Sequence, residues 1–262
     1  MSGLSSDGLR LLSQTMDMPS IFVLGALEGT LWLDELVEVR EIEGPSVVAL
    51  LRSPYSGEYY VDVVCGVRCG ARVAEAVSSY LSSQDSAWVC SSDPSLIDEL
   101  ASRGDKVEDT IVFNVMMVNA IGFRPAPRPA GFDFTGLDEH DLEAARELLS
   151  SWGEERGAYA TDMIMRGNAY GAWFEGQLIG IIGTYAATAD WWYLGNLFVD
   201  PEFRGRGIGK YLASLATSMA LQQSREAYAT IEHDNSVSRA TLSRLGYRTH
   251  ATSLVVRITR PR

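Results

Sequence analysis

Between a strand-like run, Trp191–Val199, and a helical run that reaches about Gln222 stand three glycines in six residues, Arg204-Gly205-Arg206-Gly207-Ile208-Gly209. Glycines turn the chain sharply and leave its amide N–H groups unobstructed. A helix opened by such a turn presents orphan amides and the positive end of its dipole, which together suit a phosphate or pyrophosphate. Arg204, Arg206 and Lys210 add charge of the right sign. Two common nucleotide motifs do not fit. A Walker A loop needs Gly five positions before its Gly-Lys pair and Ser or Thr after it. Around Gly209-Lys210 those positions hold Arg204 and Tyr211. The dinucleotide fingerprint needs its third glycine where Lys210 stands.

A proline cluster divides the chain. Pro125, Pro127 and Pro129 alternate, which favours a stiff extended spacer, so 124–131 reads as a linker between a domain at 1–123 and one at 132–262. After the linker the pattern predicts a strand at Phe132–Phe134 and a helix at Leu137–Ser151 with apolar positions 142, 145, 148 and 149. Strands follow at Tyr170–Glu175, Leu178–Ala186 and Trp191–Val199. Beyond the glycine helix come a strand at Tyr228–Glu232, a helix at Ser236–Leu245 and a strand at Thr249–Ile258. Asp234 or Asn235 caps that last helix and Gly246 stops it.

The first half repeats the end of this pattern. Strand Tyr59–Val67, helix Ala71–Leu81, strand Ala87–Ser91, helix Pro94–Ser102 ending at Gly104 and strand Thr110–Val118 follow one another. An offset of 142 residues lays Asp93 on Asn235, Leu100 on Leu242 and Gly104 on Gly246. Val67 to Asp93 is 26 residues against 36 from Val199 to Asn235. The shortfall reads as loss of the glycine loop from the first copy of an internal duplication.

Composition narrows the class. At 262 residues and 46% apolar, the chain can bury the core of one large domain or two small ones. No apolar run nears the ~20 residues of a membrane span, and no secretory signal is visible, so the expected compartment is the cytoplasm. The net charge of −12, of which −9 falls in 1–130, repels nucleic acid and favours cationic partners. Cys65, Cys69 and Cys90 cannot all pair with one another, and no histidine lies near them in sequence. They are expected as buried thiols, with neither a disulfide framework nor a metal site.

The spacing Arg204-x-x-Gly207-x-Gly209 resembles the Arg/Gln-x-x-Gly-x-Gly/Ala signature of the GNAT N-acetyltransferase superfamily. The second signature there, an Asn opening a helix that ends in Leu-Gly-Phe/Tyr, is similar to Asn235 with Leu245-Gly246-Tyr247. Asn235 with Ser238 resembles the glycine N-acyltransferase branch, and the degenerate first half resembles the tandem layout of mycothiol synthases. The resemblance covers about 132–258. It implies an α/β fold of two GNAT-type domains, each a mixed, mostly antiparallel central sheet flanked by helices. The second domain would bind acetyl-CoA as co-substrate, without metal, and the first would lack the phosphate loop. The implied reaction is direct transfer of an acyl group to a primary amine, a small amine or an amino acid, by a monomer or homodimer. Backbone amides of Gly205, Arg206, Gly207, Ile208, Gly209 and Lys210, beside Arg204, would hold the pyrophosphate. Leu197, Phe198 and Val199 would pair with the pantetheine arm, and an N–H near Val199 would polarise the thioester carbonyl. Asn235 would hydrogen-bond the arm.

The chain departs from the family at the proton-transfer positions. Leu242 stands where many members carry a tyrosine acid, and Thr230 and Tyr193 stand where members carry carboxylates. Glu232, on the same strand face as Thr230, becomes the candidate base and Tyr193 the candidate acid. Trp191, Trp192, Tyr193, Trp173 and Tyr185 either line an acceptor pocket or belong to the core. Glu154 and Glu155 either attract an ammonium group or form a solvated face. A protein lysine or N-terminal acetyltransferase, and a CoA-thioester sensor without turnover, stay open as alternatives.

Overall fold

The computed structural model describes residues 4–42, 46–66, 68–82, 84 and 86–259. The chain packs as two units: Met1–Val115 with Thr230–Asp234 and Thr249–Arg262, and Met116–Ala229 with Asn235–Arg248.

Unit 1 opens with α1 (Ser6–Thr15) and α2 (Met18–Leu27), helices that the sequence reading leaves unassigned. α2 is buried from Pro19 to Gly25, so it lacks the polar face that gives a surface helix its period. Its local signals are at the start: Asp17 accepts from the Ser20 amide, and Pro19 stands in the first turn. Next come β1 (Glu35–Ile42), β2 (Ser46–Arg52), β3 (Tyr59–Cys65), α3 (Ala71–Leu81), β4 (Ser86–Ser91), α4 (Ser95–Ser102) and β5 (Lys106–Asn119), the last counted here to Val115. β11 (Arg248–Thr259) arrives from the far end of the sequence and joins this unit from Thr249 on. The strand order is β1-β2-β3-β4-β11-β5. β3 and β4 run parallel, while β1–β2, β2–β3 and β4–β11 are antiparallel. Val48 and Leu50 of β2 and Val61 and Val63 of β3 alternate into one core with Val73, Val77, Leu96 and Leu100 of α3 and α4. α1 and α2 also pack on β2 and β3.

The cysteine expectation needs correction. Cys90 is a buried free thiol, but Cys65 and Cys69 form a disulfide with a Cα–Cα separation of 5.6 Å. Cys65 ends β3 and Cys69 lies just before α3, so the strand-to-helix turn brings the two together. Val67, given to the strand by the sequence, lies outside the described residues.

Unit 2 contains β6 (Asp133–Gly136), α5 (Leu142–Trp152), a 3₁₀ segment (Glu154–Ala158), α6 (Tyr159–Met165), β7 (Tyr170–Phe174), β8 (Gln177–Ala187), β9 (Trp191–Val199), α7 (Ile208–Gln223), β10 (Glu226–Glu232, counted here to Ala229) and α8 (Ser236–Arg244). The order β10-β9-β8-β7-β6 is antiparallel except for the parallel β9–β10 pair. Two glycines of β8 set the packing distance. A Cβ on Gly180 would meet Leu212 and Ile208 of α7, and one on Gly183 would overlap Met163 of α6. The segment 124–131 forms neither helix nor strand and lies along this unit: the Arg124 amide donates to Leu245 O and the Ala126 amide to Ser214 Oγ, each at 2.9 Å. Each unit is thus a mixed, mostly antiparallel sheet flanked by helices.

Measured from the observed strand ends, the shortfall of the first half is eight residues, shared between loop and helix. α3 has 11 residues against 16 in α7, and the preceding loop spans 66–70 against 200–207. Gly104 and Gly246, paired by the 142-residue offset, both follow helix ends with left-handed φ of +92° and +95°.

Candidate active site

Strand β9 is regular until its ladder with β10 stops. That ladder runs from Trp191–Glu226 to Leu194–Ala229, whereas β9 continues to Val199. On its other edge β9 carries one extra residue between Gly195 and Phe198, opposite Ile181–Gly183 of β8. Asn196 lies in this bulge with φ +52°, a conformation that asparagine tolerates better than most residues. β8 has its own extra residue, Tyr185, one step away. The Tyr185 hydroxyl donates to Asn196 Oδ1 at 2.7 Å, and Asn196 Nδ2 contacts Met163 Sδ at 3.7 Å. The bulge is therefore locked from two sides. Gly195 is obligatory beside it, because a Cβ there would fall 1.8 Å from the Tyr185 ring.

An aromatic column stands next to the bulge. The Arg156 guanidinium lies 3.6 Å from the centroid of Trp152, and Trp152 stacks on Phe198 at 5.2 Å and 10°. Arg204 sits 5.5 Å from the other ring of the pair, Phe198, and its Nε donates to Val199 O at 2.9 Å. This ties the end of β9 to the glycine loop. In that loop Asp200 caps the turn Pro201–Phe203, and Arg206 donates to Glu202 O at 3.4 Å while lying over Phe203.

Gly205 and Gly207 have φ of +77° and +83°, the left-handed region where an L side chain costs about 1–2 kcal/mol. Gly207 is the N-cap of α7 and supplies no side chain to its first turn. Gly209 has an ordinary φ, but its Cβ would meet Val199 Cγ2 at 3.4 Å. The sixteen-residue helix thus begins with amides that no cap side chain covers, under a backbone that only glycine adopts cheaply. A phosphate fits such a terminus by charge and by donor count. Lys210 is half-buried in the first turn.

Other sequence candidates fall elsewhere. Asn235 caps α8, its Oδ1 accepting from the Ser238 amide at 3.0 Å, which leaves its Nδ2 to donate. Glu232 is exposed at the end of β10, in the segment grouped with unit 1. Tyr193 is 2% exposed and packs 5.2 Å from Tyr185, and Trp191 and Trp192 are also core residues. Of the aromatic group, Tyr185 reaches the bulge through its hydroxyl. Trp173 donates to Thr135 Oγ1 on the neighbouring strand. Leu242 is buried. Glu155 is exposed, and the side chain of Glu154 lies outside the described residues. Sequence reasoning overlooked Asn196, Trp152 and Arg156. The Gly195-Asn196 pair inside an apolar strand was the available signal for the bulge.

The counterpart turn of unit 1 is closed by its own chemistry. The Cys69 amide, just ahead of α3, donates to the Asp93 carboxylate, which also accepts from the Ser95 amide at 2.9 Å. Partial burial works to raise the Asp93 carboxyl, but the bonds from Cys69 and Ser95, with the Arg68 charge, outweigh it and hold it below the usual carboxylate range. An internal anion therefore occupies donors ahead of α3. Among the described residues no group of His, Cys, Asp or Glu is arranged to hold a metal, and no helix is long and apolar enough to cross a membrane.

Comparison with known proteins agrees with this geometry. Residues 137–247 match the model of the acetyltransferase (GNAT) family. No curated protein sequence matches significantly. Among solved structures, a GCN5-related N-acetyltransferase from Kribbella flavida is similar over 94% of this chain and 97% of its own, at 18% identity and a TM-score of 0.64. A tandem GNAT protein from the clavulanic acid biosynthesis pathway is similar over 97% and 93%, at 17% identity and a TM-score of 0.65. A GCN5-related N-acetyltransferase from Sphaerobacter thermophilus covers 82% of this chain and 77% of its own, at 14% and 0.63. At these identities the likeness is one of fold, GNAT-like over nearly the whole length. The family match is confined to 137–247, and the solved structures add a GNAT-like fold.

Proposed function

We propose that residues 132–262 form an acyl-CoA-binding domain that transfers an acetyl group from acetyl-CoA to a primary amine, and that residues 1–123 are a degenerate copy without cofactor. The observation that carries this reading is the uncapped, glycine-opened N-terminus of α7 at the end of the bulged strand β9. Amides of 205–210 hold the pyrophosphate beside Arg204, and 197–199 of β9, beyond the end of the β10 ladder, pair with the pantetheine arm. Asn235 Nδ2 donates to that arm. The amine nitrogen attacks the thioester carbon, whose oxygen is stabilised by a backbone N–H of β9, and the C–S bond breaks. The amine loses a proton to Glu232, directly or through water, and the leaving thiolate gains one from solvent, or from Tyr193 if its buried hydroxyl comes within reach of the sulfur.

A second reading keeps some support from Leu242 and Thr230, which leave the family's usual acid and base positions without titratable groups. It is a CoA-thioester sensor without turnover. Calorimetric titration with acetyl-CoA, followed by thiol release over a panel of amines, separates the two. One site per chain with amine-dependent thiol release is expected. Binding without release with any amine leaves the sensor, and no binding of acetyl-CoA or longer acyl-CoAs removes both.

A further inference from the structure

Arg156 is a cation without a counter-charge among the described residues. In a chain of net charge −12, no carboxylate among the described residues pairs with it. Its polar contact is Nη1 to Asn196 Oδ1 at 3.5 Å, and its flat face lies on Trp152. The guanidinium has five donors, so most of the fork is left for another partner. It is also held in place: Trp152 supports it from below, and the Asn196 oxygen it contacts is itself fixed by Tyr185 at 2.7 Å. Asn196 is the bulge residue of β9, so in the proposed reaction this fork stands on the strand that holds the acyl group. A planar, partly desolvated guanidinium on an aromatic ring matches a carboxylate in shape and charge and repels a second cation.

We propose that the acceptor is an amine bearing a carboxylate two or three bonds away, an amino acid rather than a plain amine or a protein lysine, and that Arg156 determines this specificity by ion-pairing the carboxylate. The inference rests on the acyl transfer proposed above and narrows its acceptor. It runs against the whole-chain charge, which by itself favours a cationic substrate.

The test compares each of several α-amino acids with its carboxamide as acceptor, by thiol release at saturating acetyl-CoA. The wild-type enzyme is expected to favour the acids by at least tenfold in kcat/KM, mostly through KM. Arg156→Gln should collapse the acid-to-amide ratio toward one, and Arg156→Lys should restore part of it. Thermal melts of both variants show that each is folded. Equal use of acids and amides by the wild type, or a preference that survives Arg156→Gln, overturns the inference while the transferase stands. Thiol release with neither series overturns the acceptor and the transferase together.

Discussion

Asp34 and Asp62 of unit 1 are 7% and 1% exposed, and neither oxygen of Asp62 has a hydrogen-bond partner among the described residues. Burial pushes the Asp34 carboxyl up to about 7 and raises Asp62 well above its ordinary value, with the charges of Asp34 and Asp17 adding to the second effect. A carboxyl raised in the folded state stabilises the fold below its unfolded value of 3.8 and loses that contribution as pH climbs through its folded value, about 7 for Asp34. The protein should therefore melt lower at pH 8 than at pH 5. Asp34→Asn removes the titration and should raise the melting temperature at pH 8 by roughly 5 °C, with little change at pH 5. Melts of both proteins across that range check it. In unit 2 the sensitive position is Gly195. Gly195→Ala must displace the Tyr185 ring 1.8 Å from the new Cβ, so it should cost about 1–3 kcal/mol and release Asn196. Urea melts and acetyl-transfer rates should fall together.

Helices α7 and α3 both follow a parallel-paired strand and both open on a glycine N-cap with no side-chain cap, so they differ in the turn ahead of the helix. α7 begins on Gly207 with no cap side chain, whereas the turn before α3 is bound by Asp93. Gly207→Glu places a carboxylate at the same end of α7 and forces an L residue to φ +83°. Acetyl-CoA binding should disappear by calorimetry, while circular dichroism stays that of the parent. Much of this was legible from residues. β9 and α3 have the predicted bounds, because a short apolar, aromatic-rich run and a 3.6-residue stripe are local properties. The glycine turn was legible because left-handed backbone selects a residue type. α2 was not, because a helix buried on nearly every side loses its period. Arg156 was not either, since its stacking on Trp152 and its contact with Asn196 belong to the folded molecule and to no stretch of sequence. The disulfide was not legible, because an odd number of cysteines says nothing of the turn that joins Cys65 to Cys69.

At the scale of the molecule, unit 1 is not a continuous length of chain. Its β4 pairs with β11 from Leu254–Ser91 to Thr259–Ser86, and Val256 and Ile258 of β11 are wholly buried in its core. A fragment of residues 1–131 lacks that strand and leaves the β4 edge bare. It should aggregate or stay molten, as size-exclusion chromatography and near-UV dichroism would show. A circular permutant that restores 248–259 to the same chain should recover a monomer with a cooperative melt. A monomeric, cooperatively melting fragment without β11 would contradict this.

The same strand also sets a timetable. Residues 116–248 emerge from the ribosome between the body of unit 1 and the strand that completes it. At ~5–20 residues per second that wait is on the order of ten seconds. Throughout it a nascent chain carries an unfinished sheet with a hydrophobic edge, exposed to neighbours in a polysome. Chaperone supply and translation speed, more than the stability of the finished protein, should then govern how much of it a host cell yields.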